Sequence, residues 1–477
     1  MVILISGVNG SLQQEVVEVK IVVLNGSPKG NLSVTLQYVL FLQKKFPQYE
    51  FKVFNIAQEF RKIEREEKAF QEIIDAIKSA DGVLWAFPLY FLLVHSHYKR
   101  FIELIWERRA ELAFKNKYTA SLSTSIHFFD HTAHNYINAV CDDLDMRFVG
   151  AFSADMYDLL QTKEQDKLIR FAEHFFGAIE NKMPTSKNFR PLVHRKFDYI
   201  PGHVGKKIDV GGKKVLILTD SDDGHTNLGR MIEKFKSSFS SDVDVVNLNS
   251  VDVKGGCLGC IKCGYDNTCV YQDKDGYVEF FTTKVKAADV LVFAGTIKDR
   301  YLSSRWKLFF DRSFFYGHAP KYIGKQLGFI ISGPLSQIPN LRQILEAYAE
   351  GEGANLVDFV TDEYESSAEI DALLQSLAER LIRFASESYM KSSTFLGVGG
   401  RKLFRDEIWG RLRPTFQADH RSYKKLGVYD FPQNDYKTRI MGGIFVLLTR
   451  IPAFRKEYAR RTISEMVKPL QKILEKS

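Results

Sequence analysis

Four of the five cysteines in this 477-residue chain lie in the stretch GGCLGCIKCGYDNTC, residues 255–269. They are Cys257, Cys260, Cys263 and Cys269, with the spacing C-x2-C-x2-C-x5-C. Thiolates this close in sequence can hold an iron–sulfur cluster, bind zinc or act as a thiol relay. Structural zinc usually takes two separated Cys-x2-Cys pairs, and the sequence has no second pair elsewhere. The spacing therefore favours a [4Fe-4S] cluster, with zinc or free thiols as the alternatives.

A second candidate site is the segment NGSPKG, which follows an apolar run that predicts a buried strand. Phosphate groups are bound where backbone N–H groups, hydroxyl donors and a helix N-terminus converge. Gly26 permits the close turn, and Lys29 adds a positive charge. The same loop also suits a capped strand-to-helix turn without a ligand, so both interpretations stay open. The residues of the predicted phosphate site are Asn25, Gly26, Ser27, Pro28, Lys29, Ser33 and Thr35.

A third group, Pro88, Leu89, Tyr90 and Phe91, follows the apolar run that predicts the third strand. This loop would lie at the carboxyl edge of a parallel sheet, which is where open α/β sheets bind ligands. Pro88 stiffens the loop, and the two aromatic side chains offer a wall for a planar ring. An apolar core strand that runs directly into a helix is the alternative interpretation.

The elements that must position these residues form two copies of one pattern. From about residue 19, five predicted strands alternate with five predicted helices, and the order repeats after a linker rich in Pro, Gly and Lys. Lys99 in HYKRFIE corresponds to Lys307 in RWKLFFDR, and the second copy carries extra residues, including the cysteines, before its third strand. This alternation predicts an α/β protein with two doubly wound, parallel five-stranded sheets in tandem. The predicted parts are a domain over 1–182, a linker over 183–212, a domain over 213–386 and an extension over 387–477.

The loops after strands 1 and 3 make residues 19–180 resemble the flavodoxin-like NAD(P)H-dependent FMN reductases and quinone reductases, whose hallmarks are G-S-P-[RK] and P-x-Y. The resemblance implies two flavodoxin-like domains, FMN in the first of them, and NAD(P)H as an electron donor. It places the FMN phosphate on Ser27, Lys29, Ser33 and Thr35, and the isoalloxazine ring against Pro88–Phe91. The loop after strand 4 would border the ring's other side, with Ser125 as a cofactor-binding residue and His127, His131 and His134 as candidate proton donors.

The second copy departs from the flavin pattern. Its first loop, TDSDDGHT, places Asp220, Asp222 and Asp223 where a phosphate would sit, and carboxylates oppose a dianion. Thr296 and Lys298 stand at the positions of Pro88 and Tyr90. We therefore expect the second domain to lack FMN.

The cysteine segment resembles that of the iron–sulfur flavoproteins, which are flavodoxin-like and hold a [4Fe-4S] cluster at this point of the fold. The resemblance implies an internal pseudo-dimer with one FMN and one cluster. Electrons would move between an NAD(P)H or ferredoxin donor, the FMN and the cluster. The alternatives are an FMN or quinone reductase without a functional cluster, and a non-catalytic flavodoxin-like binding scaffold.

The formal charge of +8 is concentrated in residues 386–477, which hold 19 Lys/Arg against 9 Asp/Glu. We expect this basic, mostly helical extension to cap the tandem domains, with peripheral membrane contact as the second expectation. Nucleic-acid binding is not expected, because no recognition motif accompanies the charge. The first residues, MVILISGVNGSLQQ, make a poor signal peptide, and only one cysteine lies outside the cluster. Both features favour a cytoplasmic location. They do not bear on the oligomeric state.

Overall fold

In a computed structural model, residues 19–203 and 205–475 are described. The stretch MVILISGVNGSLQQ, which makes a poor signal peptide, lies outside them. The described residues contain two five-stranded sheets in which all strand pairs are parallel. The strands are β1 (Lys20–Asn25), β2 (Glu50–Phe54), β3 (Gly82–Pro88), β4 (Tyr118–Ser125), β5 (Arg147–Asp155), β6 (Val215–Thr219), β7 (Asp244–Asn247), β8 (Val290–Thr296), β9 (Gln326–Ser332) and β10 (Asn355–Thr361).

Both sheets have the same strand order. The first sheet runs β2-β1-β3-β4-β5, and the second runs β7-β6-β8-β9-β10. The central strands are apolar on both faces, as in β3 with the sequence GVLWAFP, because helices cover each side of a doubly wound sheet. The shared order confirms the predicted tandem α/β architecture.

Helices connect the strands and extend beyond the second sheet. Their apolar spacing sets which face is buried: in the helix Glu67–Ser79, the buried side chains Phe70, Ile73, Ile74 and Ile77 follow the helical period. A π-helical turn, Phe281–Val285, precedes β8. The α-helices are α1 (Val34–Lys45), α2 (Phe60–Arg65), α3 (Glu67–Ser79), α4 (Ser96–Glu107), α5 (Asp130–Asp143), α6 (Thr162–Glu180), α7 (Asn227–Ser237), α8 (Cys263–Asp266), α9 (Tyr277–Phe280), α10 (Ser304–Arg312), α11 (Pro339–Gly351), α12 (Ser367–Glu387), α13 (Phe395–Trp409), α14 (Gln417–Lys425), α15 (Tyr436–Leu448) and α16 (Pro452–Leu474).

The two sheet-containing halves meet through α4 and α10, which are corresponding helices of the two halves and make reciprocal contacts. The Ser96 N–H donates to Asp311 Oδ2 at 2.7 Å, and the Ser304 N–H donates to Glu103 Oε1 at 2.6 Å. The N-terminus of each helix thus donates a hydrogen bond to a carboxylate of the other helix. A negative charge at this position is favourable because the N-terminus is the positive end of the helix dipole. Both residue pairs are related by the same sequence offset that relates Lys99 to Lys307, so the duplication inferred from sequence also describes the packing of the halves.

Buried charges at this interface are paired unequally. Lys99 Nζ donates to Glu103 Oε1 at 2.7 Å and to Asp299 Oδ2 at 2.9 Å, and the lysine is fully buried. Lys307, its counterpart, pairs with one carboxylate among the described residues, that of Asp311. Two carboxylates outweigh the desolvation of Lys99 and raise its pKa, whereas burial lowers the pKa of Lys307.

The described residues form two compact units, which divide between His420 and Arg421. The first unit contains both sheets and continues past residue 387, where the extension was expected to begin, because Glu350 accepts hydrogen bonds from Thr394 and Gly397. The second unit contains α15 and α16. Among the described residues, no helix combines the length and the apolar character that crossing a bilayer requires.

Candidate functional site

The first unit contains a pocket of about 410 Å³ at the carboxyl ends of the first sheet's strands. This volume is within the range of sites for small-molecule cofactors. The loops after β1, β3 and β4 form one side of it. The lining residues from these loops are Ser27, Lys29, Ser33, Pro88, Leu89, Tyr90, Phe91, Thr124 and Ser125.

The loop after β1 is shaped by the side chain of Asn25, which is buried. Its Oδ1 accepts from the Ser27 N–H at 3.1 Å, and its Nδ2 donates to Asn55 Oδ1 at 2.8 Å. At Gly26, an added Cβ would lie 3.0 Å from the side chains of Phe87 and Tyr98. Asn25 and Gly26 therefore set the backbone path, and Ser27, Lys29 and Ser33 present their side chains to the pocket. Pro28 lies in the turn between them.

Thr35 differs from the other predicted phosphate ligands. Its hydroxyl lies 2.6 Å from the hydroxyl of Thr124 in a fully buried contact, and the residue does not line the pocket. The contact joins the start of α1 to the end of β4. Thr35 therefore joins the two loops, whereas Ser27, Lys29 and Ser33 line the pocket.

The loop after β3 is a tight turn with an unusual backbone. Tyr90 and Leu93 exchange backbone hydrogen bonds of 2.8 and 3.0 Å, and the two residues between them, Phe91 and Leu92, have φ of 38° and 60°. Such a turn normally takes Asn-Gly, because side chains are disfavoured at positive φ. Strained backbone of this kind clusters at functional sites. Here it turns Phe91 toward the pocket, where its ring also contacts Phe314 of the second half.

The three candidate proton donors after β4 do not line the pocket. His134 is buried between the hydroxyls of Ser121 and Ser123, at 2.7 and 2.8 Å, and burial lowers its pKa to about 4. His127 is half-exposed, and its hydrogen bond to Asp130 raises its pKa. His131 also lies outside the lining, which takes Thr124, Ser125, Ile126 and Phe128 from this region. The predicted catalytic role of the three histidines gains no geometric support.

The second half supplies pocket residues that the sequence did not indicate. His318 lines the pocket, and its Nδ1 lies 2.7 Å from Oδ2 of the buried Asp419. Lys321 also lines the pocket, pairs with Glu352 Oε1 at 2.5 Å, and places its ammonium 5.0 Å from the centre of the Phe91 ring. A histidine–carboxylate pair and a lysine thus face the same space as the loops of the first sheet.

The start of the extension forms a further wall. The Phe404 ring lies 4.5 Å from that of Phe128 and 4.2 Å from that of His318, measured between ring centres. An added Cβ at Gly400 would come within 2.6 Å of Phe128, so α13 approaches this loop closely. The lining residues from the extension are Leu396, Gly400, Arg401, Phe404, Leu412, Thr415 and Phe416. The pocket is therefore shared by both halves and the first part of the extension.

In the second half, the loop that corresponds to the predicted phosphate loop has carboxylates that accept hydrogen bonds from neighbouring side chains. Asn247 Nδ2 donates to Asp222 Oδ1 at 2.6 Å, and Asn249 Nδ2 donates to Asp222 Oδ2 at 3.0 Å. Asp220 contacts the hydroxyl of Ser303. These contacts agree with the expectation that the acidic loop does not take a phosphate, which stays a prediction.

The four clustered cysteines line one small cavity beside the larger pocket. Arg312 and Tyr271 also line this cavity, with the Arg312 guanidinium carbon 4.4 Å from the centre of the Tyr271 ring. Burial is the main cause that raises the pKa of Cys257 and of Cys263 to about 12, and neighbouring cysteines add to it. Across residues 19–203 and 205–475, no three His, Cys, Asp or Glu side chains are grouped to hold a metal ion. The predicted metal site at these cysteines stays a prediction.

Histidines of the first half hold the cysteine loop in place. His95 Nε2 donates to the Cys257 carbonyl at 2.8 Å, and the Gly256 N–H donates to His97 Nε2 at 3.0 Å. Because His97 Nδ1 donates to the Ala57 carbonyl at 2.9 Å, its Nε2 is left as the acceptor, which requires a neutral ring. Burial lowers the pKa of both histidines and so stabilises the neutral form.

The two cavities share a wall. Ile261 and Phe314 line both of them, and Gly259 of the cysteine loop lines the larger pocket. Gly259 has φ of 61°, and a Cβ there would lie 2.3 Å from the Tyr90 hydroxyl and 2.9 Å from Lys29 Cε. The cysteine loop thus touches both the ring-wall loop and the phosphate loop.

The fold and the pocket together define a flavodoxin-like α/β protein with a cofactor-sized site at the carboxyl edge of its first sheet. Residues 19–156 match the family model described as NADPH-dependent FMN reductase. Over these residues the chain is similar to that family, which confirms there the resemblance stated from the sequence. No match was found among curated proteins.

Solved structures similar to this chain include three flavin-related proteins. One is the apo form of an NADH:FMN oxidoreductase, with 18% identity over 33% of this chain and 88% of that chain and a TM-score of 0.28. Another is the flavoenzyme NAD(P)H:(acceptor) oxidoreductase FerB from Paracoccus denitrificans, with 18% identity over 34% and 97% of the two chains and a TM-score of 0.29. A third is general stress protein 14 from Treponema denticola in complex with FMN, with 11% identity over 35% and 99% and a TM-score of 0.26.

Proposed function

We propose that this chain is an NAD(P)H-dependent flavin oxidoreductase with one FMN in the large pocket and a [4Fe-4S] cluster in the cysteine loop. The observation that carries the proposal is the shared wall, because Ile261 and Phe314 line both cavities. Electrons enter from NAD(P)H or from a ferredoxin and leave to a small-molecule or protein acceptor. FMN supplies the chemistry that joins these partners, since it accepts a hydride and can release electrons one at a time.

The residues of the first half hold the FMN. Ser27 and Ser33 present hydroxyls and Lys29 presents its ammonium at the loop that leads into α1, which suits a phosphate dianion. Pro88, Tyr90 and Phe91 supply the wall for the ring. The pocket volume and this donor set both fit the cofactor.

The residues of the second half act on the opposite side of the pocket. Asp419 accepts from the His318 backbone N–H at 2.9 Å and contacts its Nδ1, so the imidazole is fixed in orientation at the pocket wall. We assign to His318 the exchange of a proton with a reduced substrate. Lys321 stabilises negative charge that develops in the pocket, and Glu352 holds its ammonium in place.

The cysteine cavity fits a cluster by the chemistry of its donors. Thiolates select zinc or iron–sulfur centres over hard cations. The four thiols line one cavity, and cysteine thiolates are the ligands that [4Fe-4S] clusters take in proteins. A cluster supplies one-electron transfer, and Cys257, Cys260, Cys263 and Cys269 would hold it.

A second candidate is an FMN-dependent reductase of quinones or other flat aromatic compounds in which the cysteines stay free thiols. The rings of Phe128, Tyr348 and Phe404 favour it, because they extend the pocket beyond the residues assigned to the flavin. A non-catalytic scaffold is the remaining alternative.

Composition of the anaerobically purified protein tests these functions. We expect one FMN, about four iron and about four sulfide per chain, with a broad shoulder near about 400 nm beside the flavin bands. Flavin without iron would overturn the cluster and favour the second candidate. Stoichiometric zinc without sulfide would also overturn it, and a colourless protein would favour the scaffold.

Replacing Gly259 with alanine tests the contact between the cysteine loop and the flavin site. The new Cβ would meet the Tyr90 hydroxyl at 2.3 Å, so the ring wall must move. We expect FMN to dissociate about tenfold more readily, which corresponds to about 1.4 kcal/mol. Fluorescence titration of the apo-protein with FMN measures the change.

The matched control is Gly211→Ala. Gly211 has φ of 57°, close to that of Gly259, but a Cβ there would meet no atom within 4 Å. Both variants therefore carry similar backbone strain, and only one carries the clash. Equal FMN affinities in the two variants would contradict the proposed contact.

A further inference from the structure

Helix α15 presents exposed apolar side chains along its length. Its run IMGGIFVLL, residues 440–448, contains no charged side chain, and none of the helix's side chains is buried. Ile440 and Val446 are each 63% exposed, and Leu447 is 58% exposed. A Cβ at Gly442 or Gly443 would meet no atom within 4 Å. Contiguous apolar patches of this kind mark interaction sites.

Helix α16 continues the same surface. The Phe445 ring of α15 lies 5.6 Å from that of Tyr458 and 6.3 Å from that of Phe454, so the helices form a hairpin around residues 449–451. Tyr458, Met466 and Leu470 are exposed at helical spacing along α16, and Met466 is 70% exposed. The hairpin therefore exposes apolar side chains on both helices.

The segment that contains this apolar surface carries an excess of positive charge. Residues 421–477 hold 13 Lys/Arg against 5 Asp/Glu, a net charge of +8. Glu457 pairs with Arg460 and Arg461, and Glu465 pairs with Lys468. Among the described side chains, the following cations of the hairpin form no salt bridge: Lys437, Arg450, Arg455, Lys456 and Lys472.

We propose that the α15–α16 hairpin binds an anionic lipid surface as an interfacial anchor. Exposed apolar side chains flanked by unpaired cations are the combination that partitions into the headgroup region of a bilayer. At 13 residues, α15 is too short to span the hydrocarbon core, and a short apolar helix of this kind suits an interfacial position. A second copy of the chain fits less well, because it would bring two surfaces of net positive charge together.

Co-sedimentation of the full chain with vesicles tests the anchor. We expect binding to phosphatidylcholine vesicles that contain phosphatidylglycerol to be at least about tenfold tighter than binding to pure phosphatidylcholine vesicles, and to weaken as salt is added. The double variant Phe445→Asp, Leu447→Asp should lose the binding because it places two carboxylates on the apolar surface. The double variant Arg455→Glu, Lys456→Glu should lose the binding to anionic vesicles because two positive charges are replaced by negative ones.

The matched control is Leu112→Asp, which places a carboxylate at an 82% exposed leucine of the first unit and should bind as the unchanged chain does. Far-UV circular dichroism shows that each variant is folded. Equal binding to both vesicle types, or binding that survives Phe445→Asp, Leu447→Asp, would overturn the proposal. If the unchanged chain is a dimer in the absence of lipid and the Phe445→Asp, Leu447→Asp variant is a monomer, the surface binds a second copy of the chain instead. None of these readouts depends on the redox function.

Discussion

Replacing Ser27 with aspartate is expected to raise the dissociation constant of FMN by at least about 100-fold. Ser27 is 2% exposed, and its Oγ accepts a hydrogen bond from the Lys29 N–H at 3.2 Å. A carboxylate at this position would face the phosphate dianion. Two unit charges 4 Å apart repel by about 4 kcal/mol at the effective dielectric constant of a protein surface. Fluorescence titration of the apo-protein with FMN measures the loss.

Two further variants and a second ligand show whether Ser27→Asp weakens FMN binding through its charge or by disturbing the loop. Ser27→Asn adds an uncharged side chain of the same shape as that of aspartate, and this variant should retain most of the affinity for FMN. Ser221→Asp makes the same substitution in the corresponding loop of the second half and should leave FMN binding unchanged. Riboflavin lacks the phosphate, so Ser27→Asp should weaken its binding far less. If Ser27→Asp retains full FMN affinity, the phosphate lies elsewhere.

The strands and the duplication could be predicted because their signals are local. Apolar runs such as GVLWAFP read as buried strands, and the loops that follow them carry the ligand-binding residues. The residue pairs that join α4 to α10 repeat with the offset between Lys99 and Lys307, so the duplication inferred from the sequence extends to this interface. Ser27, Lys29 and Ser33 reach the pocket because the loop and the helix N-terminus are adjacent in sequence.

The three histidines after β4 show what spacing along the chain does not determine, namely the direction in which a side chain faces. His134 follows the fourth strand closely, yet its place on α5 directs it onto Ser121 and Ser123 of β4. His318 gave no signal, because its partner Asp419 is about a hundred residues away and belongs to the extension. Pairings of this length depend on how the halves and the extension pack, which no periodicity or spacing in the sequence records.

The anchoring of the cysteine loop was hidden for the same reason. The motif identified its thiols, but the side chains that fix its backbone are His95 and His97 at the start of α4. Neither histidine belongs to a recognisable pattern. Their contacts arise because the pseudo-two-fold packing brings the start of α4 to the second half.

Replacing Cys260 with alanine is expected to remove the iron and sulfide and to leave FMN bound. Cys260 is the exposed member of the four cysteines, so its loss disturbs packing least. The phosphate and ring residues belong to the first half and stay in place. Reduction of the flavin by NAD(P)H should continue, whereas transfer to a one-electron acceptor such as ferricyanide should fall at least about tenfold, because the cluster that passes electrons on from the FMN is gone. Stopped-flow absorbance follows both steps in one experiment.

Cys141→Ser is the matched control, since Cys141 is fully buried beside Thr119 and far in sequence from the cysteine loop. It should leave iron, sulfide and both electron-transfer rates unchanged. A purely structural cysteine loop predicts a different result for Cys260→Ala: because that loop touches Tyr90 and Lys29 through Gly259, its collapse would release FMN together with the metal and lower the thermal stability. Unchanged transfer to ferricyanide in a folded, flavin-replete and iron-free Cys260→Ala protein would refute the relay.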